Sequence, residues 1–134
     1  MSEIILASGS EIRAQMLRDA GLEFRVLPAR IDEAAIKASL LAENAPPRDV
    51  ADVLAALKAQ RVAGKNPDGL VIGADQVLEL DGTIFSKPAD LQEAKAQLRA
   101  LAGATHRLHS AAVIYHGQRP IWRQISRVDL TMRN

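Results

Sequence analysis

Apolar positions fall into runs of changing period along the chain. Ile4-Ile5-Leu6-Ala7 is a short apolar run that stops at Ser8-Gly9-Ser10, after which Ile12, Met16 and Leu17 recur at helical spacing. The pattern predicts a strand, a tight loop and a helix over about residues 11–20, with Ser10 as N-cap and Gly21 just past the C-terminus. Leu22 to Leu27 alternates as a second strand, which Pro28 ends by removing a ladder donor. Asp32 to Glu43 predicts a helix rich in Ala and Leu, separated by Pro46-Pro47 from a second one marked by Val50, Val53, Leu54, Leu57 and Val62. Gly64-Lys65-Asn66-Pro67 breaks that helix. Leu70 to Ala74 is continuously apolar, as in a strand buried on both faces, and leads into Asp75.

Val77 to Leu80 predicts a continuation or a further strand, and Asp81-Gly82 a hairpin turn into Thr83-Ile84-Phe85. A helix is expected from Asp90, with Glu93 completing a capping box, Leu91, Ala94, Leu98 and Leu101 facing inward, and Gly103 ending it. Thr105 to Tyr115 and Ile121 to Met132 predict two strands around a turn at His116-Gly117. In the last of these Val128, Leu130 and Met132 alternate with Asp129, Thr131 and Arg133, which makes one face apolar and the other wet. Alternating strands and helices that give way to hairpins predict an α/β fold with a mixed sheet flanked by helices. The final strand is expected to present a naked edge, so that something should follow Asn134.

A length of 134 residues with 48% apolar content suits one domain with one core. Basic and acidic side chains number 17 and 16, so no bulk field draws the chain onto nucleic acid or an anionic membrane, and any anion must be held locally. Aromatic content of 3% further disfavours a stacking platform for single-stranded nucleic acid. The absence of cysteine excludes disulfides, thiolate metal sites and a thiol nucleophile, and an acidic residue before a short apolar run leaves no signal peptide, so a soluble cytoplasmic protein is expected.

Three groups of residues can carry chemistry. Ser8-Gly9-Ser10, at a strand-to-helix junction, would aim backbone N–H groups and the positive helix end at one point, and Arg13 one turn later can fork two phosphate oxygens. An ordinary capped helix with a solvated Arg reads the same residues without a ligand. Asp75, expected where a buried strand ends in Ile72-Gly73-Ala74-Asp75-Gln76, suits a Mg²⁺ ligand or a proton acceptor, or else a turn. Gly73 would leave room there for a backbone or ligand. Lys87, fixed by Pro88, can place a point charge on a phosphate, and Glu33 after Asp32 can add a second hard oxygen for a metal, although a surface Lys and a helix-start Glu are the commoner uses.

Other signals carry less. His106 and His109 are expected on opposite faces of a strand, as surface or hydrogen-bonded residues rather than a shared metal site. Gly64-Lys65 lacks the surroundings of a Walker loop, and the charges from Arg48 to Lys65 predict a solvated helix face.

In order, Leu6-Ala7-Ser8-Gly9-Ser10 with Arg13, Asp32-Glu33, Leu57-Lys58-Ala59, Ile72-Gly73-Ala74-Asp75-Gln76-Val77, Lys87-Pro88 and Leu101-Ala102-Gly103 with His106 resemble the Maf-like nucleotide pyrophosphatase family over nearly the whole chain. The resemblance implies an elongated, twisted mixed sheet related to the inosine triphosphate pyrophosphatases, with a cleft between two lobes. It implies a metal-dependent nucleoside triphosphate pyrophosphatase, releasing monophosphate and pyrophosphate and acting in house-cleaning of non-standard nucleotides. Asp75 would then be the catalytic proton acceptor, Ser8, Ser10, Arg13 and Lys87 would hold phosphates, Glu33 and Lys58 would organise the site, and Asp75 with Glu33 would bind a divalent cation, Mg²⁺ by expectation.

Ser10-Glu11-Ile12-Arg13 departs from the Ser-Pro-Arg-Arg or Trp-containing versions of the family's first loop. Gln76 resembles the 7-methylguanosine triphosphate branch, where the thymidine and uridine triphosphate branch has Thr, yet Ile12 lacks the Trp of the former, and base preference stays open. Family members continue past the strand that ends here, so residues 1–134 are expected to be one Maf-like domain without its C-terminal part, its second lobe incomplete. A homodimer covering Val128, Leu130 and Met132 is one consequence. A nucleotide-binding remnant without catalysis and a β-augmentation module are the competing readings.

Overall fold

The computed structural model describes residues 2–134. In chain order the elements are β1 (Ile4–Leu6), α1 (Glu11–Asp19), β2 (Arg25–Val26), α2 (Glu33–Ala42), α3 (Pro47–Ala63), β3 (Leu70–Leu80), β4 (Thr83–Phe85), α4 (Leu91–Leu101), β5 (Thr105–His116) and β6 (Arg119–Thr131). The strands form one mixed sheet of six in the order β2-β1-β3-β5-β6, with β4 paired to β3. β1 runs parallel to β2 and β3, and the other pairings are antiparallel.

The long strand β3 organises the sheet. One side pairs with β5 from Leu70 to Glu79. The other pairs with β1 only over Leu70 to Ile72 and with β4 only over Leu78 to Leu80. A notch therefore opens beside Gly73 to Val77, between the end of β1 and the β4 hairpin. The hairpin has the Asp81-Gly82 turn its sequence predicts, with φ of 50° and 85° at the two central residues, as a type I′ turn requires.

The core lies on one face of the sheet. There α3 buries Val50, Ala51, Leu54, Ala55, Ala59, Val62 and Ala63 against Ile5, Val71, Val77, Ala111, Val113 and Tyr115. The inner stripe of α3 repeats every four residues, and alanines fill four of its seven buried positions. Val53 and Leu57, expected within that stripe, are only partly buried because small residues take the innermost positions. Gly73 explains why they must be small: a β-carbon there would lie 2.7 Å from Ala59 N and 2.8 Å from Ala59 Cβ. The room this glycine provides is filled by the backbone of α3.

Several boundaries differ from the sequence reading. β2 is only Arg25–Val26, not Leu22 to Leu27, since only Ile5 and Leu6 of the short β1 pair with it. β3 continues through Asp75 to Leu80, held by β5, so Asp75 lies within a strand and not at its end. The β5–β6 turn sits at Gly117-Gln118, one residue later than expected. In α4 the capping box forms, with Glu93 N–H donating to Asp90 at 2.8 Å and Ala89 N–H to Glu93 at 3.1 Å, but only Leu101 of its apolar face is buried. Leu91 and Leu98 are exposed, because among the described residues nothing lies over them. His106 and His109 are buried rather than surface residues, and they do face opposite sides of β5; His109 pairs with Glu79 at 2.8 Å. Among the described residues β6 pairs with β5 alone and leaves Val128 and Leu130 exposed, the open edge that the sequence predicts. No helix among the described residues is long and apolar enough to cross a membrane.

Replacing Gly73 by Ala forces the α3 backbone off β3, and the expected cost is about 1–3 kcal/mol of stability. Thermal or urea unfolding checks this: a midpoint equal to that of the parent chain would mean that α3 does not depend on the contact.

Candidate functional site

The first part of the site is built where β1 ends. Ala7 N–H still donates to Ile72 O at 2.8 Å, and the chain then leaves the sheet through Ser8, which is buried, and Gly9. Ser10 has extended backbone angles and its hydroxyl accepts Arg13 N–H at 3.3 Å, so it caps α1 as predicted. The Ser8 hydroxyl accepts both Ser10 N–H at 3.2 Å and an Arg13 guanidinium N–H at 3.1 Å. This bends Arg13 back across the helix mouth. A guanidinium has five N–H donors, so this hydrogen bond leaves donors for an anion at the place where the helix dipole is positive.

The second part lies on the α3 face of β3. Lys58, in the fourth turn of α3, places Nζ 3.2 Å from Asp75 Oδ1 and 2.5 Å from Glu33 Oε1 in the first turn of α2. The Lys58 and Asp75 side chains are each only 12% exposed, so this pair is largely withdrawn from water. Asp75 Oδ2 is buried and has no hydrogen-bond partner among the described residues. A buried carboxylate oxygen left without a donor is costly, and its chemical demand is for a proton donor or a cation. The sequence places Asp75 at an open rim facing the anion mouth; in the structure its carboxylate turns instead toward α3. Of the charges from Arg48 to Lys65, Arg48, Asp49, Arg61 and Lys65 are exposed as a solvated face requires, whereas Lys58 joins this cluster and Asp52 binds Arg123 of β6 at 2.6 Å.

The third part is a cavity of about 510 Å³ on the opposite face of the sheet, under α1. Ser10, Arg13 and Asp75 line it together, so the helix mouth and the acidic residue border one space even though the carboxylate itself points to the other face. Gln76 lines it as well and donates to Ser110 Oγ at 3.0 Å. Ile12 and Met16, which recur at helical spacing with Leu17, line this cavity and are exposed there.

Of the eight predicted site residues, Ser10, Arg13, Asp75 and Gln76 meet at the cavity, Ser8 is bound to Arg13, and Glu33 and Lys58 are bound to Asp75 or to each other. Lys87 is not brought in: it is exposed, lies between β4 and α4, and lines none of the cavity. Sequence reasoning missed Ser110, Trp122, Gln124 and Ser126, which also line it. Their signal was faint but present, as Trp122, Gln124 and Ser126 at alternate positions of one expected strand and Ser110 on the strand before it. Among the described residues no group of three or more His, Cys, Asp or Glu side chains could hold a metal.

Comparison with known proteins bears on this arrangement. A protein from Ruegeria sp. (strain TM1040) named nucleoside triphosphate pyrophosphatase is 54% identical over 132 residues, covering 98% of this chain and 66% of its own length. A protein from Brucella abortus biovar 1 named 7-methyl-GTP pyrophosphatase is 44% identical over 132 residues, with 98% and 66% covered. The chain thus spans just under two thirds of the length of these relatives. The solved structure of a HAM1 protein from Coxiella burnetii superposes with a TM-score of 0.51 at 15% identity, over 96% of this chain and 71% of that one, and shares the fold. The sequence pattern of the family described as Maf-like protein matches residues 3–134, and the chain belongs to that family.

Proposed function

We propose that this chain carries the phosphate-handling and acid–base part of a nucleoside triphosphate pyrophosphatase, which hydrolyses the bond between the α and β phosphates to give a monophosphate and pyrophosphate. The observation that carries the reading is Asp75: a nearly buried carboxylate, oriented by Lys58 through one oxygen, with the other oxygen unpartnered, on a residue that borders the same cavity as Ser10 and Arg13. The names of the relatives support it.

In this reading the α1 mouth holds phosphate oxygens through the Arg13 guanidinium and the first-turn N–H groups, and Lys87 lies outside it. Water attacks phosphorus, its proton passes to Asp75 Oδ2, and the phosphoanhydride bond breaks with its electron pair leaving on pyrophosphate. Lys58 and Glu33 set the carboxylate's angle: Lys58 grips Oδ1, and Glu33 keeps Lys58 in place from α2. A divalent cation fits the donor set as far as the unpartnered Asp75 Oδ2 and the half-exposed Glu33 go, with substrate oxygens completing its shell. Such an ion would neutralise phosphate charge.

Asp75→Asn keeps the shape and removes the anion, and turnover measured as pyrophosphate release from a nucleotide panel is expected to fall by about 10²–10⁴-fold while nucleotide still raises the thermal midpoint. Near-normal turnover in this variant would take Asp75 out of the mechanism, and nucleotide binding by the parent chain without any turnover would identify a binding remnant. Chelation of divalent ions is expected to abolish pyrophosphate release and added Mg²⁺ to restore it; release indifferent to chelator would remove the metal from the reading.

Self-association through the open edge of β6 belongs to the same proposal, since Val128 and Leu130 stand exposed on a strand that, among the described residues, has a neighbour on one side only. Light scattering across a concentration series is expected to show mass rising above that of one chain, and a constant single-chain mass at the highest concentration would count against it.

A further inference from the structure

The face of the sheet under α1 has an order that the phosphate chemistry leaves unused. Cross-strand register aligns Gln76 with Ser110 and Ser110 with Ser126, so one row across β3, β5 and β6 is polar throughout. The next row, Ala74, Ala112 and Gln124, begins with two methyl groups. One row further, Trp122 is aligned with Ile114 and stands 47% exposed in the cavity wall. Residues two apart on a strand share a face, so Trp122, Gln124 and Ser126 lie on the same side of β6 as the cavity.

This is a shallow floor of small side chains with an aromatic wall at one end and amide and hydroxyl groups at the other. Flat heteroaromatic rings with hydrogen-bonding edges have the complementary shape and chemistry. The Ala74 and Ala112 side chains are too small to obstruct such a ring, and every nucleobase offers a π-face for an indole. Gln124 and Gln76 each carry donors and an acceptor, and serine hydroxyls act as either, so the polar groups can pair with the edge of a base. Arg13 and Ser10 line the same cavity, which puts an anion mouth within the same concave space.

We propose that Trp122 is the base-stacking and specificity-determining residue of this site, with the nucleobase over Ala74 and Ala112 and its edge read by Gln76, Gln124 and Ser126. The inference rests on the nucleotide reading above and adds to it a strand, β6, that contributes no group to the phosphate chemistry.

Trp122 is the chain's single tryptophan, so its emission reports on this wall alone. The intact chain is titrated with guanosine triphosphate and, separately, with inorganic tripolyphosphate. Both are expected to bind, and only the nucleotide to quench Trp122. By calorimetry Trp122→Ala is expected to weaken guanosine triphosphate binding by about tenfold and to leave tripolyphosphate within about twofold, with Trp122→Phe recovering most of the loss. If Trp122→Ala does not fold, the quenching and the Trp122→Phe affinities decide. Guanosine triphosphate that binds without quenching, tripolyphosphate that quenches equally, or equal nucleotide affinities for the parent and a folded Trp122→Ala variant would overturn the assignment while sparing the phosphate reading. Binding of neither ligand would overturn both.

Discussion

The close seating of α3 on Gly73 fixes more of this molecule than any other contact. A helix normally stands off a sheet by the depth of the side chains between them. Here the side chain on the strand is missing and those on the helix are alanines, so the backbone of α3 at Ala55 and Ala59 meets β3 directly. Lys58 adjoins Ala59 on the helix, and Asp75 follows Gly73 by two positions on the same face of the strand. Bringing the two backbones together therefore brings the ammonium to the carboxylate, and α2 adds Glu33 from the side. A charge pair this withdrawn from water adds little net stability, because desolvation offsets much of the attraction. Its effect is positional: it holds one oxygen of Asp75 and leaves the other unpartnered.

The second constraint is the difference in length between β1 and β3. A three-residue strand beside an eleven-residue one leaves β3 without a neighbour past Ile72 until β4 begins at Leu78. The loop from Ser8 to Ser10 turns away at that point and starts α1 on the other face of the sheet. The two faces then carry different duties. The α3 face is filled with apolar side chains apart from the Lys58 cluster and the His109–Glu79 pair, and the α1 face is left concave and lined with small and polar groups. Both border the notch, which is how a carboxylate on one face and an anion mouth on the other can serve one ligand.

Local chemistry was legible in the sequence wherever a single short-range rule decided it. Ser10 as a cap, Gly21 just past the end of α1, Asp81-Gly82 as a hairpin and the Asp90 and Glu93 box all follow from the needs of backbone N–H groups and positive φ. The resemblance gathered Ser8, Ser10, Arg13, Glu33, Lys58, Asp75 and Gln76, and the structure draws these seven into contact with one another or with one cavity. What was not legible depends on relations between distant elements. That β3 outlasts β1 is set by β5, more than thirty residues later, so Val77 to Leu80 alone could not decide between a continuation past Asp75 and a further strand. The face its carboxylate takes is decided by where α3 lies, and the cavity wall at Trp122 exists only because β6 is in register with β5.

Exposed apolar side chains have different meanings in different parts of this fold, and curvature with polar company separates them. Ile12, Met16 and Trp122 are exposed within a concavity that also holds Arg13, Gln76 and Ser126. Apolar walls with a few convergent polar groups are what a small ligand requires, because it must be desolvated and oriented together. Leu91 and Leu98 are exposed on the convex side of α4, flanked by Gln92, Lys95 and Arg99, and Val128 and Leu130 alternate with Arg127 and Asp129 on an open strand. Surfaces of that kind suit polypeptide better than a small ligand, since a convex stripe buries little area against a small molecule and much against a helix or sheet. On the reading proposed above, the same hydropathy pattern in the sequence serves ligand recognition on one face of the sheet and polypeptide contact at its margins.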